Sequence, residues 1–144
     1  MLLFRLKKVW FDKILVGEKT HEYRESKPSW DKKIYNAILK GIKDEDAKEV
    51  EKWFLKCSIF CEKKSDFAIP VSIPICFTSG YPASNNKNRI IYAKAKTIRL
   101  LTRKIDCINT DLGSENPTYD IEFKILNYDD WKIFNENYNN SLSQ

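Results

Sequence analysis

The sequence contains a single histidine, His21, and only four cysteines. Two of the cysteines, Cys57 and Cys61, lie four residues apart on a predicted helix, whereas zinc sites favour tighter cysteine pairs that histidines or further cysteines complete. His21 is far from both in the sequence. We therefore predict no metal site and no cofactor, and we interpret the cysteines as reduced side chains that pack in the interior.

The sequence also lacks a long apolar run of the kind that crosses a membrane. Residues 67–86 carry no charge, but Pro70, Pro74 and Pro82 interrupt them, and prolines break helices. Basic residues interrupt the apolar start of the chain, so we predict no secretory signal. We expect a cytoplasmic protein that has no membrane partner.

Acidic residues are missing from one stretch of the chain, and basic residues are almost missing from the next. Residues 85–104 contain seven basic residues and no acidic one, whereas residues 106–130 contain seven acidic residues and one lysine. The formal net charge is +5. This pattern is typical either of two solvated faces or of a basic face that meets phosphate, so it permits a nucleic-acid partner without requiring one.

The 144 residues are enough for one domain with a buried core, and 42% of them are hydrophobic. Apolar spacing, caps and turn residues predict an α+β domain. The first half of the chain predicts a strand over residues 1–8, a short helix that ends at Gly17, a strand over 20–24, a helix that opens at Pro28 and Ser29 with Ser29 as its cap, and a helix over 44–57. The second half predicts strands over 68–77, 89–101 and 118–126, a loop over 106–117 and a C-terminal tail over 127–144. The strand over 68–77 is apolar, and its prolines place it at an edge or make it irregular.

Charged residues are densest between Gly17 and Arg24. Lys19 offers a compact positive charge with three donors, and Arg24 offers a planar fork suited to phosphate or to a carbonyl edge. In a strand, Glu22 and Arg24 share one side, while His21 and Tyr23 share the other. The cluster predicts either a binding site or a solvated strand on which Glu22 and Arg24 pair with each other, and His21 is interpreted as a structural residue.

The run from Phe11 to Arg24 resembles the opening signature of the ASCH domain, a short helix that ends in Gly-x-Lys-x-x-Glu-x-Arg. Pro28-Ser29-Trp30 resembles a step found after the signature in a subgroup of these domains. Gly80-Tyr81-Pro82, followed by Arg89, is similar to a later loop of that subgroup, and the last predicted strand matches as well. The resemblance covers residues 1–35 and about 70–126.

The resemblance implies a PUA-like mixed β-barrel with flanking helices. The ASCH-like domain would span residues 1–126, with residues 36–69 as a helical insertion. The signature would line a cleft that receives RNA or a nucleoside-like ligand. The ligand-binding residues it implies are Lys19, Glu22, Arg24, Trp30, Tyr81 and Arg89. Trp30 and Tyr81 would stack on a base; the alternative for each is that it packs against the core, which is the commoner role for a tryptophan at the start of an amphipathic helix.

Two other functions stay open. One bacterial branch of the family consists of amidohydrolases that act on N4-acetylcytidine, and in that branch Lys19 and Glu22 would occupy the positions of a catalytic lysine and threonine. The separate glutamate of that branch has only Glu51 and Glu62 as candidates by location. A neighbouring carboxylate opposes loss of the proton from Lys19, which favours binding over catalysis. The third function is a protein-interaction module of phage or mobile-element origin, in which residues 36–69 would meet a protein partner.

Overall fold

The computed structural model describes residues 1–41, 68–80 and 89–140, together with Lys48 and Lys52. The predicted helix over 44–57 and the predicted site residue Tyr81 lie outside the described residues, apart from those two lysines. The strands are β1 (Leu2–Leu6), β2 (His21–Glu25), β3 (Ala68–Ser79), β4 (Ile90–Leu101) and β5 (Thr118–Ile125). The helices are α1 (Lys8–Leu15), α2 (Pro28–Lys40), α3 (Lys104–Ile108) and α4 (Tyr128–Asn140).

The five strands form one mixed sheet in the order β1-β3-β4-β5-β2. β1 is parallel to β3, and the other neighbours are antiparallel. The sheet curls into a half-barrel whose inner side is filled by buried aliphatic and aromatic side chains from the strands, α1 and α2. The predicted α+β class and mixed, barrel-like sheet are confirmed at this level.

The prolines of β3 make the strand irregular, as the sequence predicted. The register with β4 shifts between Pro70 and Ile73. β1 pairs only with Ile75–Ser79, so both prolines precede the part of β3 that has neighbours on two sides in the described chain. Proline has no N–H to donate to a neighbouring strand. Because both prolines precede the doubly paired part of β3, that part keeps its backbone hydrogen bonds. Of the two predicted alternatives, the structure has the irregular strand, and the second half of β3 lies inside the sheet rather than at its edge.

A bulge changes which side chains of β4 enter the core. Ile91, Ala93 and Ala95 are buried as the alternation predicts. The register with β5 then shifts between Ala95 and Thr97, and Ile98 and Leu100 become the buried residues. An extra residue in one strand exchanges its two faces, so Thr97, which strict alternation from Ile91 would place on the core face, does not lie on it.

The N-cap residue of α2 is not the one that the sequence predicted. Lys27 is the N-cap residue and Pro28 is the first helical residue, so the prediction of Ser29 as cap is wrong. Proline suits the first turn because its fixed φ is helical and its missing N–H would have no helical partner there. Ser26 donates a side-chain hydrogen bond of 2.7 Å to Asp31 in that turn.

Residues predicted as a loop or as a tail form helices in two places. α3 occupies part of the predicted loop over 106–117, and α4 occupies most of the tail over 127–144. α4 buries Trp131 and Tyr138, and the hydroxyl of Tyr138 donates to the carbonyl of Ala37 at 2.6 Å. α4 is therefore part of the packed domain. None of the helices in the described ranges has the length and apolar composition that a membrane span needs.

We expect Trp131→Ala to lower the free energy of unfolding by about 3–5 kcal/mol, because it removes a buried aromatic side chain. Ile133→Ala is the matched control on the same helix, since Ile133 is 60% exposed and such positions change stability little. Urea unfolding followed by circular dichroism measures both. Equal small losses in the two variants would show that α4 is not packed as described.

Candidate functional site

Lys19 lies where the chain leaves α1 and enters β2. Gly17 follows the helix with a φ of +82°, a conformation that glycine adopts without strain. The backbone N–H groups of Glu18 and Lys19 both donate to the carbonyl of Lys13, at 2.9 and 3.1 Å. These bonds close the end of α1, as the sequence predicted from Gly17, and fix the position of the Lys19 backbone.

The ammonium group of Lys19 is surrounded by acids and aromatic rings. The residue is 8% exposed. Its Nζ contacts the Asp111 carboxylate and lies 3.4 Å from Glu22 Oε1. It also lies 5.5 Å from the ring centre of Trp10 and 5.1 Å from that of Tyr23. Two carboxylates and two π-faces all favour a positive charge at this point.

Glu22 connects Lys19 to Arg24. The residue is 3% exposed, and Oε1 accepts the backbone N–H of Tyr23 at 3.1 Å. Oε2 lies 2.9 Å from Arg24 Nη1, but among the described residues it has no partner with hydrogen-bond geometry. The contact with Arg24 is therefore an ion pair whose N–H is not aimed at the oxygen, and the carboxylate depends on both cations for charge compensation.

Arg24 extends from Glu22 towards β1 and α2. Its guanidinium lies 5.0 Å from the ring centre of Phe4 and 5.4 Å from that of Trp30. It donates to the carbonyl of Tyr23 at 2.9 Å and to that of Arg5 at 3.4 Å. Since Arg5 belongs to β1, Arg24 links the two strands that end the described sheet. Glu22 thus contacts both Lys19 and Arg24, which lie on opposite sides of it, and of these three residues only Lys19 lines the cleft described below.

The other predicted ligand-binding residues are not all in one place. Trp30 is half-buried and stacks on Phe4 with a centroid distance of 5.2 Å and an interplanar angle of 11°, so the packing role is present. Arg89 is exposed and lies beside Gly80, where an added Cβ would be 3.8 Å from Arg89 Nη2. Neither residue lines the cleft that contains Lys19.

That cleft, here called the Lys19 cleft, encloses about 240 Å³. It lies between the end of α1, the start of β2 and the loop after α3. Its lining residues are Trp10, Lys13, Glu18, Lys19, Thr20, His21, Tyr23 and Asp111. Among them, only Lys19 is a ligand-binding residue predicted from the sequence. Trp10 lies on the predicted short helix and Asp111 in the predicted loop over 106–117, and only the fold brings them to Lys19.

His21 lines the Lys19 cleft, although its place in the sequence pattern predicted a structural role. Its Nδ1 lies 2.6 Å from Asp120 Oδ1, and its side chain is 38% exposed. The ring also lies parallel to that of Tyr23, with centroids 6.3 Å apart. An imidazole that uses Nδ1 towards a carboxylate leaves Nε2 for another partner.

Tyr23 separates the Lys19 cleft from a second hollow of about 220 Å³ that Arg99, Asn109 and Asp120 help to line. Burial raises the pKa of the Tyr23 phenol to about 12, with smaller contributions from Asp120, Asp111 and Glu22. A phenol with this pKa keeps its proton at physiological pH. Tyr23 therefore offers a ring face and a hydrogen-bond donor rather than a phenolate.

In the parts of the chain that the structure describes, no three histidine, cysteine or acidic side chains are grouped as a metal site would require. Cys76 and Cys107 are buried free thiols, and burial raises the pKa of Cys76 to about 11. Both therefore pack as neutral side chains.

A scan against family models, a search of curated proteins and a search of solved structures found no match to this chain.

We expect Glu22→Gln to lower the free energy of unfolding by about 3–5 kcal/mol, because it leaves two cations beside a neutral buried group. Glu25→Gln is the control on the same strand, where Lys27 lies 3.6 Å away at the surface, and should shift the urea midpoint far less. If Glu22→Gln unfolds no more easily than the control, the buried ion network does not stabilise the fold.

We expect Tyr23 to ionise near pH 12 and Asp111→Asn to lower its pKa part of the way towards the ordinary value of 10. Because folding favours the protonated phenol, its contribution to stability is complete below about pH 10 and is lost as the pH rises through about 12. NMR titration of ¹³Cζ-labelled tyrosines resolves the groups. Tyr138 is the internal control, since burial alone raises its pKa to about 12; a common shift of both tyrosines, or none, would contradict the assignment.

Proposed function

We propose that this protein is an ASCH-like domain of the PUA-like type that binds an unpaired nucleobase of RNA, or a nucleoside, in the Lys19 cleft. The chain order supports the family assignment. The signature spans the junction of α1 and β2, the half-barrel brings that junction beside the loop after α3, and the final strand β5 pairs directly with β2.

One observation carries the binding proposal. The Lys19 cleft combines a charged donor, a carboxylate acceptor and two aromatic rings within one small volume. The edge of a nucleobase presents carbonyl acceptors and amino or imino donors side by side, and its faces stack on aromatic rings. Lys19 would donate to a carbonyl oxygen, Asp111 would accept from an N–H, and Trp10 or Tyr23 would contact a face of the base.

The balance of charge in the cleft also favours a base over an isolated phosphate. Lys19 is already compensated by Asp111 and Glu22, and Glu18 adds a further carboxylate to the lining. The lining thus balances Lys13 and Lys19 against Glu18 and Asp111, and a site without net positive charge suits a neutral base, which carries donors and acceptors, better than a dianion. The predicted ligand-binding residues Glu22 and Arg24 would then act by holding Lys19 and the edge strands in place.

A second candidate is the hydrolysis of acylated nucleosides, and the hydrogen bond between His21 and Asp120 is the observation that favours it. Asp120 would orient the imidazole so that Nε2 removes a proton from water and returns it to the leaving amine. Lys19 lines the same cleft and would donate to the negative oxygen that forms. Lys19 would thus have a catalytic role, as the resemblance implied, but as a hydrogen-bond donor.

Binding is tested by isothermal titration with cytidine, uridine, adenosine and N4-acetylcytidine. Trp10→Leu should weaken binding about 5- to 150-fold, because stacking contributes ~1–3 kcal/mol per base. Tyr128→Leu is the control, since Tyr128 is an exposed aromatic residue on α4 that is absent from the cleft lining. No binding of any of the four nucleosides, or equal affinities for both variants and wild type, would contradict the proposal.

Catalysis is tested in the same preparation by following conversion of N4-acetylcytidine to cytidine by chromatography. If the second candidate is correct, His21→Gln abolishes turnover and leaves nucleoside affinity within a few-fold of wild type. Binding without turnover rejects the hydrolase and retains the binding module.

A further inference from the structure

The hollow on the other side of Tyr23 from the Lys19 cleft is not used by the proposed binding function. It encloses about 220 Å³ and is lined by Tyr23, Arg99, Leu101, Asp106, Asn109, Thr110 and Asp120. We call it the Arg99 hollow. The Lys19 cleft encloses about 240 Å³, so the two cavities suit groups of similar size.

The Arg99 hollow and the Lys19 cleft have a common wall. Tyr23 lines both cavities, and the loop after α3 supplies Thr110 to the hollow and the next residue, Asp111, to the cleft. His21 lines the cleft, and its hydrogen-bond partner Asp120 lines the hollow. Because the His21 side chain is partly exposed, this wall reaches the surface. Two consecutive groups of one ligand can therefore occupy both cavities without crossing the interior of the protein.

Arg99 and Asp120 face each other across two strands. They are paired directly in the ladder of β4 and β5, and Asp120 is paired in turn with Tyr23 of β2. Residues that are paired directly project from the same side of a sheet, with Cβ atoms about 5 Å apart. The hollow therefore presents a guanidinium, a carboxylate and an aromatic residue in one row across three strands.

Both Arg99 and Asp120 have hydrogen-bonding capacity left for a ligand. Among the described residues, the Arg99 guanidinium has no hydrogen-bond or ion-pair partner. Asp120 uses Oδ1 towards His21, and no described residue donates to its Oδ2. Asp106 differs, because both of its carboxylate oxygens accept from Arg103, at 2.8 and 3.3 Å. Arg99 and Asp120 are therefore the charged pair of the lining that is available to a ligand.

Guanine has the edge that this pair fits. Around the base, the two acceptors N7 and O6 are followed by two donors, the N1–H and the N2 amino group. An arginine fork binds N7 and O6 together, and a carboxylate beside it accepts from the N1–H and the amino group. Adenine, cytosine and uracil alternate donors and acceptors along the corresponding edge. None of them offers two acceptors followed by two donors.

The charge of the Arg99 hollow argues against a phosphate in the same place. One arginine is opposed by two acidic residues in the lining, so the hollow has no net positive charge to attract a dianion. Arg99 belongs to the basic stretch over residues 85–104, for which a phosphate contact was one alternative. Beside Asp120, its planar fork suits the edge of a base better.

We propose that the Arg99 hollow binds guanine as the nucleotide next to the base in the Lys19 cleft, so that the domain recognises two consecutive bases of a single-stranded RNA. The guanine site stands on the geometry of Arg99 and Asp120, whereas its connection to a second base rests on the proposed function. The two parts are therefore tested separately.

The guanine site is tested by isothermal titration with guanosine, with 7-deazaguanosine, which lacks the N7 acceptor, and with inosine, which lacks the amino donor. Each is titrated into wild type, into Arg99→Met and into Trp10→Leu. Lys124→Met is the matched control, because it removes one positive charge from an exposed position of the same sheet outside both cavities. Circular dichroism checks that each variant is folded.

We expect Arg99→Met to weaken guanosine binding about 5- to 150-fold, the factor that a bidentate contact to a base provides. In wild type, 7-deazaguanosine should bind more weakly than guanosine. Arg99→Met should erase that difference, because the two ligands differ only in the acceptor that Arg99 contacts. Inosine should bind more weakly than guanosine in both proteins, since its missing donor faces Asp120. Lys124→Met should bind every ligand as wild type does.

The connection between the cavities is tested with the dinucleotides GpU, UpG, GpC and CpG. One order of bases should bind more tightly than guanosine or the pyrimidine nucleoside alone, because the second base binds at a high effective concentration. Trp10→Leu should reduce the affinity of that dinucleotide to that of guanosine, and Arg99→Met should reduce it to that of the pyrimidine nucleoside. Dinucleotides that bind no more tightly than guanosine would reject the connection.

The guanine site is rejected if guanosine does not bind, if its two analogues bind as tightly as it does, or if Arg99→Met and Lys124→Met lose equal affinity. Guanosine binding that depends on Trp10 but not on Arg99 would place the base in the Lys19 cleft, which rejects the hollow and leaves the proposed function standing. If guanosine binding depends on Arg99 while no nucleoside binds in a Trp10-dependent way, the guanine site stands and the proposed function is rejected.

Discussion

The buried carboxylate of Glu22 is the interaction on which both the fold and the candidate site depend. A carboxylate that is 3% exposed is stable only where cations and donors replace water. Lys19 compensates it on one side and thereby enters the cleft with Trp10 and Tyr23. Arg24 compensates it on the other side and reaches the backbone of β1. One buried group therefore couples the geometry of the cleft to the connection between the two end strands of the half-barrel.

Local patterns in the sequence predicted the elements whose environment is set by nearby residues. Gly17 predicted the end of α1 because glycine closes a helix in the left-handed conformation, and apolar spacing predicted β5 to within one residue. The bulge in β4 and the parallel pairing of β1 with β3 were not predictable, because both depend on partners distant in the chain. α4 was missed for a similar reason: its acidic, Asn-rich composition resembles a tail, and Tyr138 is buried only because α2 lies beside it.

The candidate site was predictable as far as one strand determines it. Period-two alternation placed Glu22 and Arg24 on one side of β2, and their ion pair follows from that spacing. Asp111 is 92 residues from Lys19, and no pattern in the sequence joins them. His21 was interpreted as a structural residue because it points away from Glu22, yet the curvature of the sheet and the loop after α3 bring its ring to the same cleft as Lys19. Tyr81, Glu51 and Glu62, which the resemblance made candidates, lie outside the described residues.

The most direct measurement of the central claim is a two-dimensional NMR titration of the labelled protein with cytidine or uridine, read at the indole N–H of Trp10 and the ring of Tyr23. The account predicts that these two signals and the backbone amides of Lys19 and Asp111 shift together with one dissociation constant, while signals of α4 do not move. Shifts confined to other surfaces, or no shifts at saturating nucleoside, would contradict it.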